Sequence, residues 1–169
     1  MVLRVDANDV AELQALVRTL KSVEKPVASA IRAGTRAGAK VIWEEEMKGR
    51  SQTVFEARFA GTARVQVSDQ NVTLQAAKVR GQKFRNGLDL RQSWPEVERG
   101  ANREKRTTYS RRSKNGGTHQ VTRRTMTQFR PRNRAGYVAG PAQKASIGRV
   151  VSMWVQTAMY VIFTGIERH

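Results

Sequence analysis

Residues 103–134 read REKRTTYSRRSKNGGTHQVTRRTMTQFRPRNR, and the division of the whole chain follows from this stretch. Eleven Lys or Arg stand against one acid, Glu104, which leaves ten net positive charges in 32 residues. The turn Lys114-Asn115-Gly116-Gly117 separates Arg106–Arg112 from Thr118–Thr127, and both flanks are rich in Thr and in β-branched or aromatic residues. Asn-Gly between two such runs signals a hairpin, because both central residues tolerate positive φ. The reading is an extended basic β-ribbon. It has too few apolar residues to bury a face of its own, so its partner is another molecule, and a polyanion fits that much charge. The alternative is a disordered basic loop with no fixed partner, since blocks of like charge are commonly disordered when unbound.

Outside the ribbon the charge is uneven. The formal net charge is +17, with +4 in residues 78–91 and −1 in residues 1–24, a pattern of a localised electrostatic footprint. A length of 169 residues suits one domain spanning 1–169, with 103–134 as an insertion. Cysteine is absent, which excludes disulfides, thiolate catalysis and Cys-based zinc sites. Arg4, Asp6 and Asp9 stand where a secretory signal needs an apolar segment, so export by that route is not expected. The uncharged run from Val150 to Ile166 is too short and too polar for a membrane span and reads as a buried helix.

Periodicity places the other elements. Asp9 as N-cap, with Val10, Leu13, Leu16, Val17 and Leu20, predicts a first amphipathic helix ending near Ser22. Lys25-Pro26 opens a second helix to about Lys48, with Val27, Ile31, Gly34, Gly38 and either Val41 or Ile42 on one face. The two glycines cost about 1 kcal/mol each in an isolated helix, so they imply a close neighbour. Arg32, Arg36 and Lys40 form a basic stripe on the other side, either a nucleic-acid-facing surface or a solvated helix face. From Ala63 the period changes to two: Val65 and Val67, a turn at Asp69-Gln70-Asn71, then Val72, Leu74 and Ala76 predict a second hairpin with one apolar face. Lys78–Gly87 reads as a loop, and Ser93–Val97 as an edge strand because of Pro95. After Gly140-Pro141, the residues Ile147, Val150, Val151, Trp154, Val155, Ala158, Met159 and Ile162 recur at helical spacing and predict a long C-terminal helix at the centre of the core. The fold class is α+β: N-terminal helices and a long C-terminal helix packed on a small antiparallel sheet, with a protruding basic hairpin arm.

Little in the chain supports catalysis, so no catalytic residue, metal site or cofactor site is assigned. His119 and His169 lie near no triad arrangement, and no glycine loop is followed by Lys-Ser/Thr. Glu44, Glu45 and Glu46 fan over most of a helical turn and cannot converge on one ion. Glu96 and Glu98, alternating on a strand, would share a face but read as surface charges or ion-pair partners; a small nuclease using them would need divalent-dependent cleavage that disappears with either replaced by Gln. The composition does supply backbone contact by Arg and Lys, indifferent to base sequence and sensitive to salt. The candidate contact residues are Arg106, Arg111, Arg112, Lys114, Arg123, Arg124, Arg130 and Arg132, with Arg32, Arg36 and Lys40 as a secondary stripe.

The Ala-rich basic helix at Ala28–Lys40, the signature Val97-Glu98-Arg99-Gly100 after the sheet, and Pro141-Ala142 ahead of the last helix resemble the neck or tail-completion proteins of long-tailed bacteriophages. Trp94-Pro95 stands where that family usually has Tyr-Ala, and the basic ribbon is inserted between the two signatures. The resemblance implies a non-enzymatic virion protein assembled in the host cytoplasm. It would form a hexameric ring at the head–tail junction, between the head-completion ring and the tail terminator or tail tube, without membrane contact. A strand arm of seven to ten residues would span roughly 23 to 33 Å, enough to reach a neighbouring ring or the channel through which packaged DNA passes. Six arms would bring about sixty positive charges together, which favours interlocking with acidic neighbouring surfaces plus some Arg near DNA. The rival reading is a cellular nucleic-acid-binding protein with no sequence preference.

Overall fold

Pro26 stands in the first turn of the helix α1 (Lys25–Gly49), where its missing N–H costs nothing. In this computed structural model, which describes residues 2–6, 14, 18, 25–77, 89–124 and 126–166, α1 is followed by α2 (Val54–Ala60), α3 (Leu90–Arg99) and the long α4 (Ala139–Ile166). Strands β1 (Val2–Asp6), β2 (Arg64–Val67) and β3 (Asn71–Gln75) form an antiparallel sheet in the order β1-β3-β2. A separate two-stranded ribbon joins β4 (Arg106–Arg112) to β5 (Thr118–Arg124). The architecture is α+β, as the sequence predicts. Apart from Gln14 and Arg18, which are helical, the expected first helix lies outside the described residues, as does the expected loop Lys78–Gly87.

The alternation of Val72 and Leu74 buries both in the core, and the Trp43 indole N–H donates to the Gln75 carbonyl at 3.1 Å, tying α1 to the central strand. The largest buried side chains are Trp43 and Met47 of α1, Phe59 of α2, Leu90 of α3 and Trp154 of α4, with Leu74 of β3, so one core is shared by all four helices and the sheet. A smaller cluster of Ile31 and Ala158, flanked by Val27, Val161 and Ile162, continues the contact of α1 with α4 beyond the sheet.

Gly34 and Gly38 make that contact possible. A Cβ on Gly38 would lie 2.8 Å from Met153 Sδ, and one on Gly34 2.8 Å from Thr157 Cγ2. The buried face of α1 runs through Ala28, Ile31, Thr35, Ala39, Trp43 and Met47, one position round from the expected stripe. At the other end Arg149 clips the two helices, donating to Glu46 at 2.7 Å and Glu45 at 2.8 Å, while Glu46 also accepts from Arg50. Burial tends to raise the Glu46 pKa, but the hydrogen bonds and charges of Arg149 and Arg50 outweigh it and hold this carboxyl below its usual value. Its stabilising contribution is therefore present above the unfolded-state pKa and is lost as pH falls through the lowered folded-state value.

Three elements depart from the sequence reading. Ser93–Val97 is helix, not an edge strand: Asp89 caps α3 by accepting from the Arg91 N–H at 2.9 Å, and Leu90, Trp94 and Val97 follow the helical period. Pro95 sits inside this helix and has no N–H to give to the Arg91 carbonyl one turn back. Helix α2 was not expected, although Thr53-x-x-Glu56 is a capping box, with Glu56 N–H donating to Thr53 Oγ1 at 3.2 Å and Thr53 N–H to Glu56 Oε2 at 3.1 Å. Strand β1 was also not expected; its register sets Leu3 opposite Leu74 and Val5 opposite Val72.

The glycine contact is testable by a double-mutant cycle. Gly34→Ala should lower the unfolding midpoint despite a helix-propensity gain of about 1 kcal/mol, because Thr157 Cγ2 is stiff. In a Thr157→Ser background, which keeps the hydroxyl bond to the Met153 carbonyl but deletes Cγ2, the same change should raise the midpoint.

Candidate interaction surface

Thr108 lies opposite Thr122, Tyr109 opposite Val121 and Arg111 opposite His119, so the ribbon is paired along its full seven-residue length. The turn Lys114-Asn115-Gly116-Gly117 lies between the strands as the sequence predicts. Ser113 N–H donates to the Gly117 carbonyl at 2.6 Å, and Gly116 alone takes a positive φ, of 84°. Every residue of β4 and all of β5 except half-buried Val121 are exposed, so the ribbon projects from the body as a finger. It holds together by cross-strand pairs: Thr108 and Thr122 hydroxyls at 2.8 Å, Gln120 Nε2 donating to Ser110 Oγ at 3.0 Å, and the Arg123 guanidinium 5.9 Å from the Tyr109 ring centre. Against these, Arg106 and Arg124 face each other directly, a like-charge pair that destabilises the free finger.

Finger and body are joined by a clamp built on Glu98. This residue is 2% exposed, and its carboxylate accepts from the N–H groups of Val138 at 3.2 Å, Ala139 at 2.8 Å and Gly140 at 2.8 Å. Those are donors of the first turn of α4 that have no partner within the helix, and Pro141 next in line has no N–H to satisfy. A negative charge at the positive end of a 28-residue helix gains from the macrodipole as well. The backbone of the same segment returns along α3: Tyr137 N–H donates to the Glu98 carbonyl at 2.8 Å, Asn133 N–H to Arg99 at 2.7 Å and Ala101 N–H to Arg130 at 2.9 Å. Gly100, at φ 68°, leaves room for the Pro131 and Arg130 carbonyls, and Gly136, at φ 82°, for the Glu98 carboxylate; a Cβ at either would collide with them. The Val-Glu-x-Gly signature thus grips the three residues that precede Pro141-Ala142, and that pair lies inside the first turn of α4 rather than ahead of the helix.

Among the described residues, Arg106, Arg111, Arg112, Arg123 and Arg124 have no ion-pair partner, and Lys114 and Arg132 are likewise exposed and unpaired. Arg130 is different. It belongs to the clamp, with its guanidinium 3.8 Å from the Tyr137 ring centre and 3.3 Å from Glu56 Oε1, while Tyr137 O–H donates to the Pro131 carbonyl at 2.7 Å. Beside it Phe129 is buried, its ring 5.8 Å from that of Phe55. Nor does the secondary stripe join the finger's charges into one free surface: Arg32 holds Asp69 at 2.9 and 3.0 Å, Lys40 lies 3.8 Å from Glu44, and Arg36 is exposed.

Glu96 and Glu98 do not share a face, because α3 turns about 100° per residue and sets them roughly 200° apart. Glu98 is committed to backbone donors, so the geometry on which a nuclease reading rested is absent. No group of three or more His, Asp or Glu stands close enough to hold a metal ion among the described residues, and no described helix is long and apolar enough to cross a membrane. Comparison with family models, with curated proteins and with solved structures returned no match.

The clamp and the finger should respond differently to substitution. Glu98→Gln should cost about 3 kcal/mol by weakening charge-assisted bonds to buried donors, and Gly100→Ala more than about 2 kcal/mol from its φ and the carbonyl collision. Arg130→Ala should cost about 1 to 3 kcal/mol, whereas Arg111→Ala should leave the denaturation midpoint unchanged; urea titration of the four variants measures this.

Proposed function

We propose that the chain is a structural, non-enzymatic subunit of a bacteriophage head–tail connector, a neck or tail-completion ring component. The observation that carries this reading is the joint at Glu98. Glu98 of the first signature caps the last helix through the N–H groups of Val138, Ala139 and Gly140, the residues just before the Pro141-Ala142 of the second, while the segment between is extruded as a finger. Such a subunit would assemble as a homo-oligomeric ring, six copies by analogy with the family, between the head-completion ring and the tail terminator or tail tube. It would be assembled in the host cytoplasm and reside in the virion. The finger would then be the element that contacts adjacent rings or the DNA in the channel, through Arg106, Arg111, Arg112, Lys114, Arg123, Arg124 and Arg132. Its unpaired guanidinium groups support this role, since a compact body gains nothing from leaving so many like charges together.

The same unpaired charges favour one second reading, a cellular nucleic-acid-binding protein without sequence preference. The two separate on assembly. Electron microscopy and light scattering of the purified chain, alone and mixed with the neighbouring connector rings, should show closed rings. A chain that remains monomeric under both conditions would remove the connector reading.

A further inference from the structure

The finger has two unlike faces. Strand alternation and the observed register place Arg106, Arg112 and Arg124 on one of them, with Thr108, Ser110, Gln120 and Thr122 forming the row between. Every side chain on this face can donate a hydrogen bond and none is apolar. The cross-strand bonds of the row fix its side chains without exhausting them: one hydroxyl of the Thr108–Thr122 pair, the Ser110 hydroxyl and the second Gln120 N–H remain free to donate. The other face is centred on Tyr109 and Val121, and Arg123 is drawn over the Tyr109 ring.

Resting on the reading of the finger as the contact element of a connector subunit, we propose that its polar face, with Arg112 and Arg124 bracketing the Thr108, Ser110, Gln120 and Thr122 row, binds the sugar–phosphate backbone of duplex DNA. Three contrasts choose this partner. A docking surface for an acidic protein needs apolar or aromatic anchors at its centre, and this face has none, whereas protein–DNA interfaces are polar and strongly positive, with Arg, Ser, Thr and Gln as the usual phosphate donors. A single-strand site stacks bases on aromatic side chains, and the finger's aromatic rings, Tyr109 and His119, are both on the opposite face, the first lying under the Arg123 guanidinium. A two-stranded ribbon fits the major groove of B-form DNA but not the deep, narrow one of A-form RNA. Phosphate also answers the like-charge pair of Arg106 and Arg124, which has no acidic partner among the described residues.

The sequence itself supplies the controls, because Arg111-Arg112 and Arg123-Arg124 are neighbours that point to opposite faces. R112Q/R124Q and R111Q/R123Q remove the same charge from adjacent positions. With the full chain and a labelled mixed-sequence duplex followed by fluorescence anisotropy between about 50 and about 200 mM salt, wild-type affinity should fall steeply with salt. R112Q/R124Q should weaken binding by about tenfold or more and flatten the log–log salt slope by about 2, as loss of two phosphate contacts requires. R111Q/R123Q should weaken it less than about threefold, with a slope nearly that of wild type. Equal losses in the two variants would overturn the face assignment in favour of a diffuse polyelectrolyte. Tighter binding to a single strand, or displacement of the duplex by polyglutamate of equal charge, would overturn the partner. Amide hydrogen exchange in β4 and β5 confirms that the finger is folded in both variants. Rings that fail to bind duplex would sink this inference and leave the connector reading standing; face-dependent binding by a chain that never forms rings would do the reverse.

Discussion

One buried carboxylate organises the joint between body and finger. Glu98 is nearly inaccessible, and an unpaired charge in that position would be prohibitively costly. It is tolerated because three backbone N–H groups of the last helix converge on it, groups that would otherwise be orphaned in the interior. Each side needs the other. Helix α4 carries Trp154, Val150 and Ala158 into the core, so its correct start sets the packing of α1 and, through Trp43, of the sheet. Glu56 repeats the arrangement at smaller scale, a buried acid held by the backbone of the turn it caps and by Arg130.

The body and the finger treat charge in opposite ways. In the body, several of the described cations find carboxylates: Arg32 with Asp69, Arg149 with Glu45 and Glu46, Arg130 with Glu56. In the finger the acids are missing, and the guanidinium groups stand in solvent along an exposed ribbon. The ribbon is ordered by local cross-strand bonds and by its root, not by a core, which gives the surface geometry without committing its donors.

Much of this was legible in the sequence because periodicity and turn chemistry report directly on local structure. The finger, the hairpin of β2 and β3, helix α1 with its close-approach glycines, and helix α4 all follow from spacing alone. Where the reading failed, a competing signal was given too much weight. Pro95 argued for an edge strand at Ser93–Val97, yet Asp89 as cap and the Leu90, Trp94, Val97 spacing specified a helix that a single proline could not break. Thr53-x-x-Glu56 announced α2, but seven residues are too few for the amphipathic pattern to stand out. Asn115-Gly116 suggested positive φ for both central residues of the turn, and only Gly116 takes it. Arg130 could not be told from the finger's arginines by composition; its neighbours Phe129 and Tyr137 are the hint that it stays with the body. The role of Glu98 was beyond reach, since its partners lie forty residues away and are main-chain atoms.

The clamp also makes the finger a module. Ala101 and Arg130 are held side by side by a backbone hydrogen bond, so the body already brings together the two ends of whatever lies between them. With closure secured at that socket, doubling an insert's length adds only about 0.6 kcal/mol of loop entropy. The same scaffold can therefore accept a shortened, extended or transplanted ribbon in place of Arg106–Arg124 without redesign of its interior, and changes of specificity can be confined to exposed strands that bury nothing in the core.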